Sequence, residues 1–240
     1  MKKIDRAGGI LFDLDDTLID SERFRESGID AGVTYLKDCA GKYGIDIRDS
    51  HLKEAKSNVY RRYSDSGRRT CKRERFLELI RIAAANSGID YKQLGYDLTK
   101  MLGNAFEIYQ SHLKRSKLYD AAQEMLERLP LAGRFGLIFS NGTSEDVEVK
   151  LEASGIPKIK GYEKSYSTDI EDSPRGLVTG IGMNKTPVAF SWFRERFGIE
   201  IMVGNDPEDD IKAAQEAGLK AILCENGDYS ELTGLLGLDV

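Results

Sequence analysis

The chain has 240 residues, 40% of them hydrophobic and 31% charged, with a formal net charge of −5. That balance suits a soluble globular fold of one large or two modest domains, and the acidic total argues against general nucleic-acid binding, which favours a basic surface. Three scattered cysteines, Cys39, Cys71 and Cys224, form neither a disulfide framework nor a zinc pattern, and two histidines, His51 and His112, leave a zinc or Ser-His-Asp enzyme short of parts.

The start, Met1-Lys2-Lys3, is basic, but the apolar run behind it stops at Asp13. That is too short for the core of a secretory leader, and no run nears the roughly 20 apolar residues of a membrane span. With no disulfide pattern, the expected compartment is the cytoplasm. Residues 8–13 predict a buried strand, short and apolar behind two glycines. From about residue 22 to 113, apolar residues recur at three- and four-residue spacings, as in Val33, Leu36, Ala40 and Phe76, Leu79, Ile80, Ala83. This spacing predicts four or five helices and no strand. After Tyr119 the pattern alternates. Helices are predicted at "DAAQEMLERL", at "SEDVEVKLEASG" with a serine cap and a glycine stop, at "TPVAFSWFRERFG" and at "PEDDIKAAQEAG". Strands are predicted at "FGLIFSN", "IEIMVGN" and "KAILC". Residues 157–184, with their glycines and prolines, suggest loops and a hairpin.

Strands alternating with helices mean a parallel sheet covered on both faces. The predicted class is therefore α/β, a Rossmann-like parallel sheet built from residues 1–18 and 115–240, interrupted by an all-helical domain at 19–114. Chemistry in such sheets gathers at the carboxyl ends of the strands. Three predicted strands end in polar residues: Asp13-Leu14-Asp15-Asp16-Thr17, Ser140-Asn141-Gly142, and Asn205-Asp206 leading to Asp210. Lys185 opens the helix that feeds the last of them. Hard oxygen ligands suit Mg²⁺. A hydroxyl, main-chain N–H groups and a lysine suit phosphate oxygens.

In order and spacing, "FDLDDT", "IFSNG", "NK" and "VGNDPEDD" resemble the four motifs of the haloacid dehalogenase superfamily. The resemblance covers the whole α/β part, and the helical insert looks like the family's cap. It implies that Asp13 is a nucleophile forming an aspartyl-phosphate, and that Asp15 is acid and then base. It also implies that Ser140, Asn141 and Lys185 hold the phosphoryl group. Mg²⁺ would be bound by Asp13, Asp15, Asp210 and either Asn205 or Asp206. The third motif commonly reads Lys-Pro, but here Thr186 intervenes, which leaves Lys158, Lys160 and Lys164 as rivals to Lys185. The expected function is Mg²⁺-dependent hydrolysis of a small phosphorylated metabolite, with no nucleic-acid or membrane partner. A dehalogenase is disfavoured because Asp15 supplies an acid that a leaving halide does not need. A phosphomutase of the same fold is a weaker rival, as is a non-catalytic phosphate- or metal-binding signalling module. Residues 60–75 carry seven basic residues against Asp65 and Glu74. They read either as a clamp for an anionic substrate or as a solvated helix face.

Overall fold

The first strand, β1 (Gly9–Phe12), is buried along its whole length. Ile10 and Phe12 pack into one apolar cluster and Leu11 into another, so both faces of the strand are covered. The computed structural model describes residues 8–64, 72–156, 163–165, 176–178 and 185–238. After β1 the chain turns into β2 (Ile19–Asp20). The helices α1 (Glu22–Gly41), α2 (Asp49–Ser64), α3 (Lys72–Asn86) and α4 (Gly95–Leu113) follow, with a 3₁₀ turn at Tyr91–Leu94. The chain returns through β3 (Lys117–Leu118), antiparallel to β2. Then come α5 (Asp120–Arg128), β4 (Gly136–Ile138), α6 (Ser144–Ser154), β5 (Glu163–Ser165), β6 (Gly176–Val178), α7 (Pro187–Phe197) and β7 (Ile199–Gly204). A π-helical segment, Pro207–Lys212, continues as α8 (Ala213–Glu216), and β8 (Lys220–Leu223) and α9 (Ser230–Leu236) close the chain.

The main sheet has the order β4-β1-β7-β8, with every pair parallel. The chain leaves β1 toward β4 on one side and later returns to β7 on the other. The order reverses at β1, and in parallel sheets binding sites lie beyond the carboxyl ends of the strands at such a point. The fold is the predicted one, a parallel α/β sheet interrupted by a helical insertion. Two compact units result, Met1–Glu22 with Ser116–Val240, and Arg23–Arg115. Among the described residues no helix is long and apolar enough to cross a membrane.

Four local expectations are corrected. Thr143, not Ser144, caps α6, because its side chain accepts from the Asp146 N–H, and Gly155 ends the helix at φ 77°. The strands β5 and β6 pair in parallel, so they are not a hairpin. The helix after β7 opens as a wide π turn, in which the Asp206 side chain accepts from the N–H groups of Glu208 and Asp209. The helix α9 and the two-residue strands β2 and β3 add to the predicted elements, since strands that short carry no periodicity. Within the helical unit, Glu78 is buried and is bound by Arg62, Arg81 and Asn58, while the Arg73 guanidinium lies 4.8 Å from the centre of the Phe106 ring. Arg62 and Arg73 of the basic stretch therefore have partners within the helical unit, and residues 65–71 lie outside the described residues.

The end of β7 needs glycine for space. A Cβ on Gly204 would come 2.6 Å from the Cβ of Asp210. Gly204→Ala should therefore destabilise the protein by about 1–3 kcal/mol, the scale of overpacking. Gly103→Ala in α4, where a Cβ meets nothing within 4 Å, should be neutral or stabilising by about 0.5–1 kcal/mol. Denaturant unfolding of both variants checks the contrast.

Candidate active site

Register brings three strand ends together. Phe12 lies beside Ile138 on one side and Val203 on the other. The pairing continues one step further, with the Phe139 N–H donating to the Phe12 carbonyl and the Asp13 N–H to the Val203 carbonyl, both at 2.8 Å. Asp13, Ser140 and Gly204 thus leave the sheet together at its carboxyl edge, where the strand order reverses.

Asp13 is buried there, and its Oδ1 receives the Lys185 ammonium at 2.5 Å. The same ammonium donates to Oδ1 of Asp210, which is also fully buried. Lys185 stands just ahead of α7, whose first turn is fixed by Pro187 and by the Thr186 hydroxyl accepting from the Ala189 N–H. Its own main-chain N–H donates to Oδ1 of Asn141 at 3.2 Å, so the second strand end braces the lysine. Ser140 is buried, and its Oγ accepts from the Gly142 N–H at 3.1 Å. Behind the turn, the Tyr229 hydroxyl donates to the Thr17 carbonyl at 2.6 Å, and burial pushes the phenol pKa up, so the donor stays protonated.

Asp15 meets a different cation. Lys150 Nζ lies 2.7 and 2.8 Å from its two carboxylate oxygens. Ser21 Oγ donates to Oδ1 of the same group at 2.5 Å. Next to it, Asp16 takes φ 57° and accepts from the N–H groups of Ser21 and Glu22, which ties the turn to the start of α1.

The structure thus gathers Asp13, Lys185 and Asp210, with Asn141 bracing the lysine and Ser140 on the neighbouring strand end. It does not bring Asp206 into that cluster: this exposed residue caps the π turn. Asn205 stays half-buried just past β7. Of the rival lysines, Lys158, Lys160 and the side chain of Lys164 lie outside the described residues. Sequence reasoning missed Lys150 and Ser21. The signal for Lys150 was present, since it falls between Val147 and Leu151 on the buried face of α6, where a lysine needs a reason.

One ammonium between two buried carboxylates leaves a net negative charge. Burial, then Asp210 and Asp15, raise the Asp13 pKa from 3.8 to about 7 against the pull of Lys185. Burial likewise raises Asp210. Burial works against the Lys185 ammonium, but the two carboxylates outweigh it and hold its pKa above the ordinary lysine value. No three-residue cluster of acidic, histidine or cysteine side chains forms among the described residues. Two converging carboxylates nevertheless fit Mg²⁺, which binds through one or two carboxylates and fills its shell with water and phosphate oxygens.

A family model described as haloacid dehalogenase-like hydrolase matches residues 8–218. The chain is 24% identical over 227 residues to a ribulose-1,5-bisphosphate 5-phosphatase of Halopiger xanaduensis, covering 95% of this chain and 88% of that one. Its fold is similar to a 2-haloacid dehalogenase from Pseudomonas syringae, with TM-score 0.62, 22% identity and coverage of 90% and 85%. A haloacid dehalogenase-like family hydrolase from Xanthomonas campestris has TM-score 0.61, 19% identity and coverage of 95% and 86%.

The raised Asp13 pKa has a measurable sign. Between the unfolded value, 3.8, and the folded value, about 7, the folded chain holds a proton that the unfolded chain has released. Stability from this site is therefore complete at low pH and is lost as pH rises through that window. In chelator, Asp13→Asn should gain stability relative to the parent as pH rises from about 4 to about 7, with no further gain above it. Unfolding curves across that range test this, and a constant difference would refute it.

Proposed function

We propose that the chain, which belongs to the haloacid dehalogenase-like hydrolase family, is a Mg²⁺-dependent phosphomonoester hydrolase. The family match fixes the hydrolase class; the phosphate ester and the cation are our reading. The observation that carries it is that two carboxylates only two residues apart have different surroundings and different lysine partners. Asp13 is buried with Lys185 and Asp210, and Asp15 stands outside that cluster in a turn of its own.

In this reading Asp13 attacks phosphorus and becomes an aspartyl-phosphate. Asp15 gives a proton to the leaving oxygen, then takes one from the water that cleaves the intermediate. Lys185 offsets charge on the phosphoryl oxygens while staying bound to Asp13, and Ser140 with neighbouring N–H groups holds those oxygens. Asp13, Asp210, the main-chain carbonyl of Asp15 and the half-buried Asn205 would hold Mg²⁺, which when bound supplies positive charge for the phosphoryl group. Positioning and charge neutralisation carry most of phosphoryl transfer. Residues 1–18 and 115–240 would form the catalytic core and 19–114 the cap, acting on a small phosphorylated metabolite in the cytoplasm. The relative that is named as a sugar-bisphosphate phosphatase supports a phosphatase and makes sugar phosphates the first substrates to try.

Purified protein should release phosphate from an aryl phosphate with Mg²⁺ and lose that activity in EDTA. Asp13→Asn should abolish turnover, because a neutral amide is a poor nucleophile. Activity indifferent to EDTA would sink the cation, and a tenth of the turnover retained by Asp13→Asn would sink the covalent step.

Lys185→Met should cost about 2–4 kcal/mol of transition-state stabilisation, the scale for losing one preorganised electrostatic partner. A kcat/KM within a few-fold of the parent would remove Lys185 from the mechanism.

A further inference from the structure

We propose that Lys150 is a positioning residue for proton transfer: together with Ser21 it sets the orientation of the Asp15 carboxyl group, which gives its proton to the leaving oxygen and, as the carboxylate, takes one back from the attacking water. The inference rests on the reading of Asp15 as acid and base.

The Lys150 side chain is only 3% exposed, on a helix face it shares with Val147 and Leu151. Burying an ammonium there is unfavourable unless an anion meets it, and Asp15 does so through both carboxylate oxygens. Stability alone is a poor reason for such a pair, because apolar residues of similar volume are often at least as stable. A carboxylate at the tip of a turn can rotate about two side-chain bonds. A donor on both oxygens and a second donor on Oδ1 oppose those rotations. Ser21 is itself fully buried, so the second anchor is fixed as well. The Asp15 side chain still keeps 20% of its surface exposed, so it is held without being sealed off. Asp13 has its own ammonium in Lys185, carried by a different part of the chain. The two lysines therefore divide the work, one on the nucleophile and one on the proton carrier.

The test compares Asp15→Asn, Lys150→Met, Lys150→Arg and the double variant Asp15→Asn/Lys150→Met, all with Mg²⁺. Each is assayed on an alkyl phosphate, a poor leaving group, and on an aryl phosphate, read as first-turnover release of the aryl alcohol. General acid catalysis contributes about 10²–10⁴-fold. Lys150→Met should therefore lose at least about tenfold in kcat on the alkyl phosphate, with KM little changed and aryl release little affected. Lys150→Arg should recover most of the loss. The double variant should be no slower than Asp15→Asn alone, because Lys150 acts through Asp15. It carries neither charge, so it keeps the test open if Lys150→Met fails to fold. Equal losses on both substrates, a change in KM alone, or additive losses in the double variant would overturn the role of Lys150 while Asp15→Asn keeps its leaving-group dependence. If Asp15→Asn shows no such dependence, the reading of Asp15 fails and takes this inference with it.

Discussion

The interaction on which the site depends is one ammonium shared by two buried carboxylates. Lys185 comes from the start of α7, Asp13 from the end of β1 and Asp210 from the turn after β7. Three segments far apart in sequence are thus fastened at one edge of the sheet. Breaking a buried pair by removing one partner leaves a charge without compensation, typically about 3–5 kcal/mol. The tie is also incomplete, since one positive charge faces two negative ones; burial raises both carboxyl pKa values, and the Asp210 charge adds to the rise at Asp13. In the proposed reaction that residual negative charge is what Mg²⁺ would balance.

Much of the surrounding detail serves this tie. Gly204 leaves room for the Asp210 side chain, and the Asp206 N–H donates to Asp210 Oδ2 at 3.1 Å. Asn141 turns its carbonyl oxygen to the Lys185 main chain. The wide π turn lets Asp206 cap the helix start while Asp210, one turn on, points into the protein. Of the two alternatives for the metal at this strand end, Asn205 and Asp206, the second caps the helix start, while Asp210, four residues later, takes the buried position.

The helical unit uses charge differently. Glu78 is buried and is bound by two arginines and an asparagine. One of those arginines, Arg62, belongs to the stretch whose positive charge suggested an anion clamp. Charge counted along a sequence does not say whether it faces solvent, a substrate or an interior carboxylate. Here the interior claims part of it.

The alternation of helices and strands, the position of the helical insertion and the acidic end of the first strand were all legible in the sequence, because each is a local pattern of period or composition. Asp13, Ser140 and Lys185 were legible for the same reason: each stands at a predicted strand end or helix start. What tertiary structure alone decided is which carboxylates share a cation. Asp210 rather than Asp206 reaches Lys185, because the π turn rotates one inward and the other onto the helix start. Lys150 reaches Asp15 across 135 residues. Its place on the apolar face of α6 could be read from spacing, but its partner could not, because only the folded sheet brings that helix beside the turn after β1.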